Sequence, residues 1–340
     1  MKICQVIASR GWGGLERHFT DLCNRLADHH EVIAIADPEF KKKLTARIHF
    51  EPLDFSGWRY HPATLFKLYC LLRAHRPQIV HAQANKAAAM VGVLHALLDI
   101  KSVATIHNFK RSTRMYRYFD RIIAVSKHTA SQVGYSQVEV IYNGIDPPTD
   151  MARSGIAYLR EALGKDIAPP VVLSIGRLVA AKGFELLLKA WVELPASLII
   201  VGDGPLRKRL EDLIQELGLS DRVMLAGYRN DIPALLANAD LMVISSAKEG
   251  FSYVLAEGLH VRQLAVSTRV PVAMEILPQE FVVDYGDPRA LAAVVKRVLS
   301  DPGASRHAFE PVWNFAKREL TLQRMTEKTE QVYQNVLSLP

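Results

Sequence analysis

The sequence predicts an α/β protein: two doubly wound, Rossmann-like parallel-sheet domains facing each other across a cleft. Three observations lead there. Short apolar, β-rich runs alternate with segments of helical period along the chain, the pattern left by parallel strands and their helical crossovers. At 340 residues the chain has length for two hydrophobic cores. Between the two series of runs lies Asn143-Gly-Ile-Asp-Pro-Pro-Thr-Asp150, turn chemistry without an apolar period. The domains are therefore placed at 1–150 and 151–318, followed by a last segment, 319–340.

The first series of strands is expected at Lys2–Ala8, Glu31–Ala36, Arg47–Leu53, Ile79–His81, Ser102–Ile106, Arg121–Val125 and Glu139–Tyr142. The second is expected at Val171–Gly176, Ser197–Gly202, Arg222–Ala226, Asp240–Ser245, Gln263–Ser267 and Phe281–Asp284. Leu206, Leu210, Leu213, Ile214 and Leu217 mark one face of a helix entered through Gly204-Pro205. Tyr253 to Val261 reads as a short helix with Ser252 at its cap.

Composition bounds the class. With 49% apolar and 23% charged residues, the chain reads as a soluble globular protein, and no apolar run reaches the ~20 residues needed to span a bilayer. The opening Met-Lys-Ile-Cys-Gln-Val-Ile-Ala reads as a first strand rather than a signal peptide. Cys4, Cys23 and Cys70 form no metal spacing and are expected as buried free thiols of a reducing cytosol. Charge is uneven: residues 1–150 hold 20 Lys and Arg against 13 Asp and Glu, which accounts for the whole net charge of +7. The segment His107–Arg121 mixes cations with aromatic residues. Such a face attracts an anionic membrane surface, or is simply a solvated basic face. No nucleic-acid recognition motif accompanies it.

Glu249-Gly-Phe-Ser-Tyr-Val-Leu-Ala-Glu257 sets two carboxylates eight residues apart around a turn at the end of an apolar run. Glu249 falls at a strand's carboxyl end, and the amides of Gly250, Phe251 and Ser252 fall at a helix start. Unpaired N–H groups and the helix dipole there favour an anion, while a carboxylate on each side accepts hydrogen bonds from hydroxyls. Phosphate in the middle with hydroxyls on either flank describes a nucleotide sugar. Upstream, Pro170-Val-Val-Leu-Ser-Ile-Gly-Arg177 leads into Lys182-Gly183. Arg177 and Lys182 thus leave a strand's carboxyl end, where ligands of open α/β sheets bind. Two fixed cations neutralise a diphosphate leaving group without a metal.

Gly176-Arg177…Lys182-Gly183, Val201-Gly-Asp-Gly-Pro205, Ala239-Asp240 and Glu249-x7-Glu257 stand in one order, preceded by Gly13-Gly14-x-Glu16, Val80-His81, Ile106-His107 and Val140-Ile-Tyr-Asn-Gly-Ile-Asp146. In that ordered set the chain resembles the retaining GT-B glycosyltransferases, the large group 1 or family 4 type that includes sucrose synthase and bacterial mannosyltransferases. The resemblance implies a GT-B fold whose second domain binds a nucleotide-sugar diphosphate and whose first binds the acceptor. It also implies that the last helix, Leu320–Leu337, crosses back to the first domain. By the same resemblance, Glu249 contacts the donor sugar's hydroxyls, Glu257 holds the ribose, and Gly176, Arg177, Lys182, Gly250, Phe251 and Ser252 surround the phosphates. Tyr228 and Arg229 lie where the nucleotide base rests. His107 lies beside the sugar as a catalytic residue with Glu249, Arg177 and Lys182. Gly13 and Gly14 allow close backbone approach to donor or acceptor, and Glu16 and His81 are acceptor-side candidates.

Two departures are visible. Glu16 stands where G-x-G-x-x-G would need its third glycine, which removes the main support for a nicotinamide site. After Glu257 the family's usual Gly-x-Pro is replaced within Gly258-Leu-His-Val-Arg-Gln-Leu-Ala265. The expected reaction is retaining, metal-independent transfer from a nucleotide sugar, with a UDP-sugar favoured over a GDP-sugar and no cofactor. The acceptor is expected to be a glycan or lipid-linked hydroxyl in bacterial lipopolysaccharide or cell-surface polysaccharide synthesis. The place is the cytoplasm, peripheral on the cytoplasmic face of the inner membrane. Two alternatives stay open: a GT-B-fold sugar-nucleotide epimerase acting without an acceptor, and a non-catalytic binding protein.

Overall fold

The computed structural model describes residues 1–11, 13–95, 97–108, 113–149 and 154–339. The expected boundary at 150/151, Trp12 of the glycine-rich loop and residues 109–112 of the basic segment lie outside the described residues. The chain packs as two compact units, Met1–Gly144 with Thr321–Pro340, and Ile145–Leu320.

The first unit holds seven parallel strands: β1 Lys2–Ile7, β2 Glu31–Ala36, β3 His49–Pro52, β4 Ile79–Gln83, β5 Lys101–Ile106, β6 Arg121–Ala124 and β7 Val138–Val140. Their order across the sheet is β3-β2-β1-β4-β5-β6-β7. Strand neighbours follow the chain outward from β1 on one side and from β4 on the other, so the order reverses between β1 and β4. Alternation along each strand feeds two cores, because successive side chains point to opposite faces. Cys4, Val6, Ile33, Ile35, Val80 and Ala104 pack on one face with Leu68, Leu72, Met90 and Tyr116. Ile3, Ile7, Val32, Ala34 and Val103 pack on the other with Phe19, Leu22, Met325, Val332 and Tyr333. Both faces are covered, so the strands read as near-continuous apolar runs. Each fully buried large side chain contributes roughly 1.5–3 kcal/mol.

The last helix, Leu322–Leu337, supplies Met325, Val332, Tyr333 and Val336 to this second core. Thr321 caps it by accepting from the Arg324 amide at 3.1 Å. Its entry is possible because Gly144 has no side chain: a Cβ there would lie 2.0 Å from the Thr321 carbonyl oxygen.

The second unit holds six parallel strands: β8 Val171–Ile175, β9 Ser197–Val201, β10 Val223–Gly227, β11 Leu241–Ile244, β12 Ala265–Thr268 and β13 Val282–Val283. Their order is β10-β9-β8-β11-β12-β13, which reverses between β8 and β11.

Every expected strand is present, with ends moved by one or two residues. Three differences have local causes. The helix expected from Gly204-Pro205 begins at Arg207, because Gly204 sits at φ +158 beside Leu178, where a Cβ would stand 2.6 Å from the Leu178 carbonyl oxygen. Cys70 is exposed while Cys4 and Cys23 are buried, since the helix Pro62–His75 turns Leu68 and Leu72 inward instead. At the altered segment after Glu257, Arg262 takes φ +58. A side chain therefore stands in a left-handed conformation that glycine adopts without strain. Its guanidinium lies 4.6 Å over the Trp313 ring and pairs with Glu310, which offsets that strain.

Candidate functional site

In the second unit, β8 and β11 flank the reversal of strand order, and the loops leaving their carboxyl ends are where an open α/β sheet binds its ligand. β8 ends at Ile175 and delivers Gly176 and Arg177; β11 ends at Ile244 and delivers Ser245, Ser246 and Glu249. The turn Ala180–Gly183 is docked onto the second loop. The Ala247 amide donates to the Ala181 carbonyl at 2.9 Å, and the Ser245 hydroxyl donates to the Lys182 carbonyl at 2.9 Å. Gly183 makes that fit possible: at φ +65, a Cβ would stand 2.0 Å from the Ser245 carbonyl oxygen. The Lys182 stem runs alongside Gly176, where a Cβ would meet its Cδ and Cε at 3.2 Å.

This docking places Lys182 Nζ 2.6 Å from Glu249 Oε1, with the two side chains 27% and 7% exposed. The Ser246 hydroxyl donates to the same carboxylate oxygen. The other oxygen, Glu249 Oε2, is buried and has no hydrogen-bond partner among the described residues. A buried carboxylate oxygen left this way costs about 1–3 kcal/mol, which a donor arriving from a ligand would recover. Arg177 is exposed and has no ion pair among the described residues.

The helix Tyr253–His260 begins at Ser252, whose hydroxyl accepts from the Leu255 amide at 3.4 Å. Among the described residues the amides of Gly250 and Phe251 have no acceptor. Glu257 is half-buried one turn inside the helix, and Phe251 packs edge-on to Tyr253 at 5.4 Å. The structure thus brings together Gly176, Lys182 and Glu249, with Gly250, Phe251 and Ser252 following directly on the chain. Tyr228 is 77% exposed, an open face rather than a core position. Arg229 is already held: its guanidinium makes a two-point pair with Asp231 at 2.7 and 2.6 Å and donates to the Ala162 carbonyl. That pairing lowers the Asp231 pKa and raises that of Arg229.

In the first unit the carboxyl ends of β1, β4 and β5 gather a polar cluster. His107 follows β5, is buried, and its Nε2 lies 3.0 Å from Gln83 Oε1. Gln83 Nε2 donates to Gln5 Oε1 at 3.0 Å, so Gln83 Oε1 is the acceptor and His107 Nε2 carries the proton. Burial first, then the neighbouring His18 and His81, hold His107 well below the usual histidine range. The ring is neutral at pH 7. Its Nδ1 lone pair has no partner among the described residues.

His18, four residues into the helix Gly14–Leu26, meets the His107 ring at 4.5 Å, edge to face. Both His18 nitrogens and Asn143 Oδ1 are buried without a well-formed hydrogen bond among the described residues. Burial lowers the His18 pKa to about 4, against a smaller upward pull from the Asn143 side chain nearby. Glu16 accepts from the Ser9 hydroxyl and folds back over Gly13, where a Cβ would stand 3.3 Å from Glu16 Oε2. Gly13 precedes the helix and Gly14 opens it.

His81 corrects an expectation. It has no exposed surface; its Nδ1 lies 2.6 Å from the Tyr333 hydroxyl and its Nε2 2.7 Å from the Thr105 hydroxyl. A ring enclosed on all sides has nothing to offer an acceptor. His81 fastens the last helix to the first sheet. β4 runs two residues past His81, so Gln83, on the same strand face, stands at the carboxyl end of β4, itself buried and bonded to Gln5 and His107. Gln83 and His18 were missed from sequence. The period-2 placement of Gln83 beyond His81 was the available signal for one; His18 on the inner face of the first helix offered none stronger than core packing.

Comparison with known proteins agrees with this layout. Residues 157–311 match the model of glycosyl transferases group 1, and residues 12–148 match that of glycosyltransferase family 4. The lipopolysaccharide core biosynthesis glycosyltransferase LpsD of Rhizobium meliloti is 28% identical over 308 residues, 85% of this chain and 86% of LpsD. Anabaena HepE in complex with UDP superposes with a TM-score of 0.86 at 24% identity, over 98% of this chain and all of that one. HepE in complex with UDP-glucose gives 0.83 at 25% identity over the whole of both chains. The chain belongs to the group 1 and family 4 glycosyltransferases of GT-B fold.

Proposed function

We propose that this glycosyltransferase moves a sugar, with retention of configuration, from a UDP-sugar to a hydroxyl of a glycan or lipid-linked acceptor in bacterial lipopolysaccharide or related cell-surface polysaccharide synthesis. The observation that supports it best is the half-satisfied Glu249 carboxylate. Its Oε1 is occupied by Lys182 and Ser246, and its buried Oε2 awaits a donor. A sugar hydroxyl supplies one.

In this reading the diphosphate lies against Arg177, Lys182 and the amides of Gly250, Phe251 and Ser252. Glu257 takes the ribose hydroxyls, and Tyr228 offers its exposed ring to the base. Arg229 serves by orienting that loop through Asp231. The preference for uridine draws support from HepE, which binds UDP and UDP-glucose; the acceptor class draws support from LpsD. As the acceptor oxygen bonds to C1, the C1–O–phosphate bond breaks on the same face. The hydroxyl proton passes to the departing phosphate oxygen, and UDP leaves with the charge spread over Arg177 and Lys182. These cations aim at charge that grows in the transition state, the arrangement that accelerates most. With two cations in place no metal ion is required. Neutral His107 accepts a hydrogen bond at Nδ1 from a substrate hydroxyl, and Gly13, Gly14 and Glu16 are the acceptor-side residues of the first unit.

The test is a panel of UDP- and GDP-sugars with truncated lipopolysaccharide-core acceptors, in EDTA, following nucleotide release and the anomeric coupling constant of the product. Expected are UDP release that depends on acceptor and an anomer matching the donor. Conversion of donor alone into an epimer would replace this reading with the epimerase. An inverted anomer, or activity lost in EDTA and restored by metal, would overturn the mechanism. Peripheral binding at the cytoplasmic face of the inner membrane through the basic first unit is part of the same proposal. No helix among the described residues is long and apolar enough to cross a membrane. Co-sedimentation with anionic vesicles at low salt tests it, with loss at high salt expected.

A further inference from the structure

Among the described residues β3 is the edge strand of the first sheet, hydrogen-bonded to β2 and two strands removed from the β1/β4 reversal. His49 and Glu51 are alternate residues on it and so share one face. The helix Pro62–His75 ends beside them, because Arg76 takes φ 47 and turns the chain away. Three side chains from two elements then converge. His49 Nε2 lies 2.9 Å and His75 Nε2 2.7 Å from one atom, Glu51 Oε1. The two rings are 4.7 Å apart between centroids. The three ligand-type atoms lie within 4.8 Å of one another, and no other such group occurs among the described residues.

Two imidazole nitrogens with one carboxylate oxygen suit a first-row divalent ion of borderline softness, not calcium or magnesium. We propose that His49, Glu51 and His75 form a binding site for zinc(II) or a like ion, with its remaining position open to water. Bonds of about 2.0–2.2 Å in tetrahedral geometry set ligand atoms roughly 3.3–3.6 Å apart. The two histidine–glutamate spacings need to open by about half an ångström, which His49, 59% exposed, allows, while the histidine nitrogens already lie within 4.8 Å of each other. Binding also needs each Nε2 lone pair turned to the metal and its proton moved to Nδ1. Among the described residues neither Nδ1 has a partner to give up. The bound ion would clip the edge strand to the end of the helix, covering a liability of parallel sheets, and takes no part in sugar transfer.

The test uses the full chain stripped of metal and titrated with cobalt(II), zinc(II), calcium and magnesium. The wild type is expected to bind one cobalt(II) with visible d–d absorption of a low-coordinate site. It should gain about 5 °C in melting temperature at a hundredfold excess of zinc(II) over Kd. His49→Gln, at an exposed position, and Glu51→Gln should keep their transferase activity, lose the absorption band and weaken zinc(II) binding at least ~10-fold. Absence of the band in the wild type, equal stabilisation by calcium, or unchanged affinity in both variants would overturn the proposal.

Discussion

Lys182→Ala separates the pairing of this lysine with Glu249 from the role proposed for it at the diphosphate. Its Nζ sits 2.6 Å from Glu249 Oε1, and the carboxylate side chain is 7% exposed. Removing one partner of a fully buried pair costs about 3–5 kcal/mol. Here the lysine is 27% exposed and the Ser246 hydroxyl remains, so a loss of about 1–2 kcal/mol in unfolding free energy is expected. The effect on turnover is larger. A unit charge ~4 Å from a phosphate oxygen contributes about 4 kcal/mol at an effective dielectric constant near 20, and partial exposure trims this to about 3. That is roughly a 10²-fold fall in kcat. Urea unfolding reads the first quantity and UDP release at saturating donor reads the second. The double variant Lys182→Ala/Glu249→Gln removes the stranded charge. It should recover most of the stability and none of the turnover. Turnover of Lys182→Ala within threefold of wild type, or turnover restored in the double variant, would refute the reasoning.

Further outcomes follow from the same geometry. Gly183→Ala should cost 3 kcal/mol or more in unfolding free energy, on the order of the largest single-site effects, because its Cβ meets the Ser245 carbonyl at 2.0 Å in a left-handed conformation; a loss under about 1 kcal/mol would show that the turn relaxes freely. Arg262→Gly relieves about 1 kcal/mol of backbone strain at φ +58 while losing a cation–π contact worth ~0.5–1 kcal/mol, so it should be near neutral. Arg262→Ala keeps the strain and should be less stable than the glycine variant by about 1 kcal/mol; equal urea midpoints would contradict this. His18 binds a proton near pH 6.5 when unfolded but only near about 4 when folded. Its contribution is therefore fully present above pH 6.5 and is lost as pH falls towards 4, at about 1.4 kcal/mol per pH unit. Urea midpoints at pH 7.5 and 5.5 should differ more for the wild type than for His18→Gln.

Much of this was legible in the chain because the rules involved are local. Strands buried on both faces are near-continuous runs such as Val171-Val-Leu-Ser-Ile175, and Ser252 announces the helix it caps. The sites at strand ends follow once the strands are placed. What stayed hidden depends on which face of an element meets which neighbour. Nothing in Val80-His81 shows that Tyr333, from the far end of the chain, encloses that ring. Nothing near Tyr228-Arg229 shows that Asp231 already occupies the guanidinium. Cys70 was expected buried with the other two cysteines, yet the helix's inward stripe is set by Leu68 and Leu72. The meeting of His49, Glu51 and His75 depends on where one helix stops against an edge strand, which only the fold determines.

The proposed reaction depends on a diphosphate held by Arg177, Lys182 and the start of the helix Tyr253–His260. Calorimetric binding of UDP, UMP and uridine to the wild type and to Arg177→Ala/Lys182→Ala tests it most directly. UDP should bind the wild type at least ~10-fold more tightly than UMP, the equivalent of about 1.4 kcal/mol, and that preference should collapse in the double variant while uridine binding is unchanged. A preference for UDP that survives the loss of both cations would contradict the claim.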